Sequence, residues 1–376
     1  MVKAITMKLD DIAKIERGRF SPRPRNDPRY YGGDIPFVQT GDVSRAGTYI
    51  QEYSQTLNEE GLAVSKLFPK GTILMTIAAN VGDVSILGFD SACPDSLVAF
   101  TPKKEINNKW LFHVLRTMKK KFDSISTQNA QKNLSLGKIK SVNVQFPDYE
   151  CQVNISSTLD AWDMAIEKTE ALIDAKERQF EWLRSNIIGK VQNATTHKFG
   201  DFLKESKITD TIKNPKKRLT VRLHLKGVDV REYRGTEKEG ATQYFVRKAG
   251  QLIYGKQNIF RGSIGIIPLA LDGYSSSQDI PAFDIAESVN ADWLFWYMSR
   301  PYFYERLEHF AAGSGSKRLH PKELFKMHVD APPIDKQKAI AHTLNTAQQE
   351  ITLLKKLADG YRTQKRGLMQ KLLSGE

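Results

Sequence analysis

Cysteine is nearly absent, with only Cys93 and Cys151 in 376 residues. Without a CxxC pair or an HExxH, the chain offers neither a disulfide framework nor a recognisable zinc site, and both thiols are expected to be structural. Long apolar runs are missing too. No stretch approaches the roughly 18 apolar residues of a membrane span, and MVKAITMKLDDIAK at the start lacks the apolar segment of a signal peptide. No membrane partner and a cytoplasmic location are expected. Acidic residues are also in short supply: 43 Asp and Glu against 56 Lys and Arg leave a net charge of +13 and a pI near 9.4. That balance points to a polyanionic partner, nucleic acid before membrane, because no strongly basic amphipathic helix stands out.

Catalytic motifs are wanting as well. GQLIYGKQ from Gly250 fits G-x-x-x-x-G-K but places Gln257 where a phosphate loop needs Ser or Thr for magnesium. FPDY and APPI lack the Asn or Asp directly before two prolines found in amino-methyltransferases. There is no glycine-rich S-adenosylmethionine motif and no acidic triad followed by lysine. The expectation is a chain that does no chemistry alone and holds no cofactor. A single-chain DNA-modifying enzyme and a coiled-coil scaffold remain as alternatives, distinguished by S-adenosylmethionine binding and by salt-dependent DNA binding.

What the chain does contain is a repeat. Shifted by 185, residues 132–190 align with 317–375 without a gap, and 13 of 59 pairs are identical, among them Leu134/Leu319, Gln152/Gln337, Leu159/Leu344, Ile166/Ile351, Leu172/Leu357 and Leu183/Leu368. Upstream, the WLF at Trp110 recurs at Trp293. Within the repeat, Leu159, Trp162, Ile166, Thr169, Ile173, Lys176, Phe180, Leu183 and Ile187 alternate spacings of three and four, a heptad seam. The second copy repeats the phase at Leu344, Ala347, Ile351, Leu354, Ala358, Tyr361, Lys365, Leu368 and Leu372. Each copy therefore ends in a long helix, started by FPDYE or APPID and stopped near Gly189 or Gly375. Two equivalent halves can bury their seams together about a pseudo-two-fold axis, as an antiparallel coiled coil. The alternative is two surface helices, each packed on its own domain.

The remaining segments read as α+β, with short strands, turns and one helix in each half. KGTILMTIA from Lys70 and AGQLIYGKQ from Ala249 are matching strands followed by turns at Gly82 and Gly262, and Asn108 and Asn290 are the helix caps expected before the WLF segments. The expected division is 1–147, a long helix over 148–190, 191–332, and a long helix over 333–376. Basic residues collect in a proline-broken stretch of the first domain, Lys14, Arg17, Arg19, Arg23, Arg25 and Arg29, followed by Tyr30 and Tyr31. Such a stretch reads as a loop whose arginines either position phosphates or take guanine bidentately, or form a solvated face; the clusters of both domains together favour DNA. Gln39 and Thr40 follow it. The second domain offers Lys213, Lys216, Lys217, Arg218, Arg222, His224, Lys226, Arg231 and Arg234, with Lys256 and Arg261 further on. STQNAQKNLS carries Gln128, Asn129, Gln131 and Lys132, and AAGSGSKRLH carries Ser316, Lys317 and Arg318. Amides suit adenine edges, and the aligned Lys132 and Lys317 suit the phosphate backbone.

In YYGGDIPFVQTGDV, TQNAQKNLS, VQFPDYECQ and APPIDKQKAI, carried on tandem basic domains each followed by a heptad helix, the chain resembles the specificity subunit of a type I restriction-modification enzyme. The resemblance covers nearly the whole length. It implies two target recognition domains joined by two spacer helices, reading a bipartite site in double-stranded DNA. Two methyltransferase subunits would carry S-adenosylmethionine, and restriction subunits would carry ATP and magnesium. TVRLHLKGVDV in the second domain matches IPFVQTGDV only loosely, so the two half-sites are expected to differ.

Overall fold

The computed structural model describes residues 5–78, 80–126, 133–189, 193–233, 235, 242–313 and 316–374. They form two compact units, residues 1–169 with 357–376, and residues 170–356.

The first unit is built on a five-stranded sheet ordered Ala13–Arg17, Leu97–Pro102, Ile73–Thr76, Val84–Leu87 and Tyr49–Ile50. Its first four strands are antiparallel, with Ile73 opposite Ile86 and Phe100 opposite both Ile15 and Ile73. Ile73, Leu74 and Met75 are all buried, so this central strand is apolar on both faces instead of alternating. A second sheet runs Gln55–Leu57, Tyr31–Phe37, Ser91–Ala92 and Leu67–Phe68. The second unit repeats the antiparallel core with Leu203–Ser206, Ala282–Ile285, Leu252–Tyr254 and Ile264–Ile266. The turns expected after the matching strands fall at Gly82 and Gly262, with φ of +89° and +72°. A side chain at Gly82 would also meet the Lys119 backbone at 3.1 Å, so glycine is required there twice over.

Short helices are more numerous than the single one expected per half. Leu9–Ile12 and Phe199–Phe202 are single turns in which the Lys8 and Lys198 N–H groups donate to Asp11 and Asp201 at 3.1 and 2.8 Å. For the helix Asn108–Thr117, the cap is Asn107, not Asn108. Its side chain accepts from the Trp110 N–H at 2.9 Å, a reach open only to the extended residue three positions before that donor. Asn290 does the same for Trp293, also at 2.9 Å, at the start of Ala291–Met298.

The long helices run Tyr149–Ile187 and Ile334–Ser374. Asp148 accepts from the Cys151 N–H at 2.8 Å at the start of the first. One turn in, each helix carries an identical buried glutamine with identical bonds. Gln152 donates to the Pro147 carbonyl at 3.0 Å and accepts from the Asn107 N–H at 2.9 Å. Gln337 donates to Pro332 at 2.8 Å and accepts from Asn290 at 2.8 Å. Each glutamine ties the entry of a long helix to the cap of the tryptophan helix, satisfying backbone groups that burial would otherwise leave unpaired.

Within the first unit, Ile155 and Leu159 join the core, Leu368 and Leu372 pack against it, and the Trp162 ring meets Tyr361 edge-on at 5.6 Å. Within the second, Ile173 is buried, and Phe180, Leu183, Leu344 and Ile351 share one core while Lys176 pairs with Glu350 at 2.9 Å. Ile166 and Leu354 are half-buried.

His113 is fully buried on the tryptophan helix of the first unit, with Nε2 3.2 Å from Asp160, which also holds Lys109. Burial first, and the nearby Lys365 charge, push its pKa down to about 4, against a partial counter-pull from Asp160. The folded state therefore keeps the ring neutral where the unfolded chain binds a proton. Stability from this residue is complete above about pH 6.5 and is lost as pH falls towards about 4, a loss of about 3 kcal/mol. Urea titrations across that window should show this slope, and His113→Gln should flatten it.

Candidate nucleic-acid interface

The basic stretch of the first unit begins as a strand and not as a loop. Ala13 and Ile15 face the core, so the alternate Lys14 and Glu16 face outward, and Arg17 is exposed where the strand ends, beside Leu97–Pro102. The chain then breaks at its prolines and tightens into a turn at Pro28–Tyr30, capped by Asp27, which accepts from the Arg29 N–H at 3.0 Å. Arg17 and Arg25 converge on Asp95, at 2.5 Å to its carbonyl and 2.7 Å to its carboxylate. Arg29 stands over the Tyr30 ring at 4.7 Å, and Tyr30 in turn packs edge-on against the buried Phe20. Arg23 is exposed and donates only to the carbonyls of Phe20 and Pro22. Arg19 differs from the rest: its Nε and Nη2 both hold the Ser65 carbonyl, at 3.1 and 2.7 Å, so its fork anchors the loop from within.

A cleft of about 570 Å³ opens beside these arginines, lined among others by Arg25, Tyr31, Phe37, Gln39, Gln55 and Thr56. The Gln39 N–H donates to Asp42 at 2.8 Å at the start of the helix Thr40–Arg45, with Thr40 half-buried in its first turn. The Gln39 amide donates to Gln55 at 3.0 Å and keeps a donor and an acceptor for a base edge. Gln55 and Thr56 escaped the sequence reading because EYSQTLNEE carries no basic cluster and lies outside the repeat; only strand pairing with Phe37 and Pro36 brings them to the cleft. Gln128, Asn129, Gln131 and Lys132 lie outside the described residues.

In the second unit, Arg218 stacks on Tyr244 at 3.9 Å and donates to its hydroxyl at 3.1 Å, while Lys217 reaches Tyr274 at 6.0 Å. The Arg231 N–H donates to the Arg218 carbonyl at 2.7 Å, so both cations stand side by side just beyond the end of the strand pair Leu219–Val221 and Val228–Val230. Arg222 grips Asp229 at 2.7 and 2.9 Å, holding that carboxyl below its usual range, and Lys226 is exposed at the turn between them. His224 parts from this group. Its left-handed backbone, φ 57°, turns its N–H to the Arg261 carbonyl at 2.9 Å, and its side chain lines a groove with Arg184, Phe295 and Trp296. Lys256 and Arg318 gather at Asp279: the Lys256 N–H donates to the Asp279 carbonyl at 2.9 Å, and Arg318 lies 4.0 Å from its carboxylate. Burial pulls the Lys256 pKa below the usual lysine value. Ser316 and Lys317 are exposed, and Lys317 pairs with Glu308 at 2.9 Å. Arg234 lies outside the described residues.

Cys93 is buried, and that burial pushes its thiol up to about 12. Among the described residues no cluster of His, Cys, Asp or Glu is arranged to hold a metal, and no helix is long and apolar enough to cross a membrane.

An α+β core is thus built twice, with arginines bordering an amide-lined cleft in the first unit. Residues 1–175 match the family model for the type I restriction modification DNA specificity domain. The chain is 28% identical over 191 residues to the type I restriction enzyme MjaIX specificity subunit of Methanocaldococcus jannaschii, a match covering 50% of this chain and 42% of that protein. In fold it resembles the type I restriction-modification S subunit from M. genitalium, at a TM-score of 0.61 with 13% identity over 99% of this chain and 96% of the other. A chain from a structure on complex assembly and conformational transition of the type I R-M system aligns at a TM-score of 0.60, 12% identical, over 98% of this chain and 97% of that one.

Proposed function

We propose that the whole chain is the DNA specificity subunit of a type I restriction-modification complex, reading a bipartite, asymmetric site. The observation that carries this reading is the duplication: the same core, the same capped tryptophan helix and the same buried glutamine lock occur twice, with different cations around each. Two heads with different loops suit two different half-sites. In this reading 1–147 and 191–332 are target recognition domains, and 148–190 and 333–376 are spacers.

The spacers form an antiparallel coiled coil about a pseudo-two-fold axis. Trp162 meets Tyr361 and Lys176 meets Glu350, so numbers rise along one helix as they fall along the other, which supports that direction. The exposed face of the helices supports docking of one kind of partner twice. Thr158/Thr343, Leu172/Leu357, Asp174/Asp359 and Gln179/Gln364 are identical between the copies yet exposed, where packing of the chain itself does not require identity. Two methyltransferase subunits binding S-adenosylmethionine fit that face. Restriction subunits with ATP and magnesium join through them, in the cytoplasm, and this chain supplies recognition without catalysis.

Expressed with its methyltransferase, the chain should direct methylation to a two-part sequence, read by methylome sequencing. Alone it should methylate and cleave nothing. Activity of the purified chain by itself would overturn the reading in favour of a single-chain enzyme.

A further inference from the structure

Among the seam positions at which the two long helices differ, one buries a charge. Position 180 of the first helix is Phe180, whose ring packs edge-on against Trp296 at 5.4 Å in the second unit. The aligned position of the second helix is Lys365, buried within the first unit and paired there with Asp163. The surroundings have diverged in step. Around Lys365 the first unit places Asp163, Asp160, His113 and Arg116, with Arg116 3.5 Å from Asp163. At the aligned places the second unit has Gln348, Asn345, Trp296 and Ser299, a neutral set in which the Trp296 indole N–H donates to Asn345 at 2.7 Å. Gln348 shares the wall of one groove with Phe180 and Trp296.

We infer that Lys365 and Asp163 are a pairing code, which lets the second long helix join the first of its own chain and bars it from joining a second copy of itself. If two second halves paired through the same seam, Lys365 of each would enter the site that Phe180 occupies, against Trp296 and Gln348. At the place of Asp163 stands the neutral Gln348; Asp292 is exposed and already accepts from Asn345 at 2.8 Å, and the other carboxylates of that groove, Asp174, Glu177 and Glu181, sit on the first helix and are absent from such a pair. A buried ammonium without its partner is among the costliest single defects a packed seam can carry, whereas the correct pair gives each charge its counterpart. The duplication created two helices able to form three combinations. This substitution removes one of them, the combination in which the second half-site would be read twice.

The inference rests on the antiparallel helix pair of the proposed function, and one experiment separates the two. A protease site is placed between residues 189 and 193 of the full chain, which is folded first and then cut. Cut samples with and without a tag on the second half are mixed, warmed, cooled and weighed by native mass spectrometry. The wild type should show a first half with a second half and essentially no pair of second halves. In K365F, where position 365 now presents the ring that Trp296 already accepts, pairs of second halves should rise by about a hundredfold. K365M, uncharged and unbranched, makes the same comparison should K365F fold poorly. Second-half pairs at the statistical level in the wild type, or no rise in either variant, would overturn the code. Halves that do not stay together at all after cutting would overturn the helix pair itself.

Discussion

Adding seven residues after Asp174 and seven after Asp359 should widen the gap between the two recognised half-sites while leaving both half-sequences unchanged. The physical basis is the heptad. Seven residues keep the seam in phase on each helix, and in an antiparallel pair each insert lies opposite native sequence of the other helix, so both lengthen by the same amount. The added helix is about 10 Å. At about 3.4 Å per base pair that distance corresponds to roughly three base pairs at most, and less if the helices tilt or the DNA bends. The second half-site also turns around the duplex as it moves away, so overall methylation should fall even where the new spacing is found. Methylome sequencing of a host carrying the variant and its methyltransferase reads both quantities. An unaltered gap with methylation intact would mean that the helices do not set the distance.

How much of this architecture the sequence revealed depends on whether a feature repeats. Leu159, Ile173, Phe180, Leu344 and Ile351 are buried in the structure, and their spacing alone shows which face of each helix is apolar. Ile73–Thr76 and Leu252–Tyr254 pair as central strands because apolar runs bounded by turns have few other uses. The cap of the tryptophan helix was harder. Asn107 and Asn108 are neighbours of the same type, and only the backbone conformation decides which one faces the Trp110 N–H. Charge was legible as a total but not as a site. Arg19 and Arg25 stand six residues apart with the same side chain; one grips a backbone carbonyl while the other borders a cleft. Gln55 reaches Gln39 through a strand pairing sixteen residues away, which leaves no local trace. His224 reads as one of a basic group until a left-handed turn carries it elsewhere.

Replacing Arg23, Arg25 and Arg29 together by glutamine should weaken DNA binding by about a hundredfold or more at moderate salt and flatten its salt dependence. Each phosphate contact releases counterions, so each one lost removes about 0.9 from the slope of log affinity against log salt, nearly three for the set. The structure bears on how the loss divides among them. Arg23 is exposed and tied only to nearby carbonyls, so it is free to turn to a phosphate. Arg25 and Arg29 already face Asp95, Asp27 and Glu60, and must exchange those exposed partners, each worth little in water, for the polyanion. Arg25 also lines the cleft that holds Gln39 and Gln55. The single variants should therefore separate. Arg23→Gln should lower affinity for every sequence alike, whereas Arg25→Gln should also relax preference within the first half-site and leave the second unchanged. Fluorescence anisotropy across a salt series, with duplexes altered in one half-site at a time, distinguishes the two. A triple variant that binds with unchanged affinity and slope would reduce the cluster to a solvated face, and recognition by the first unit would then have to come from other residues.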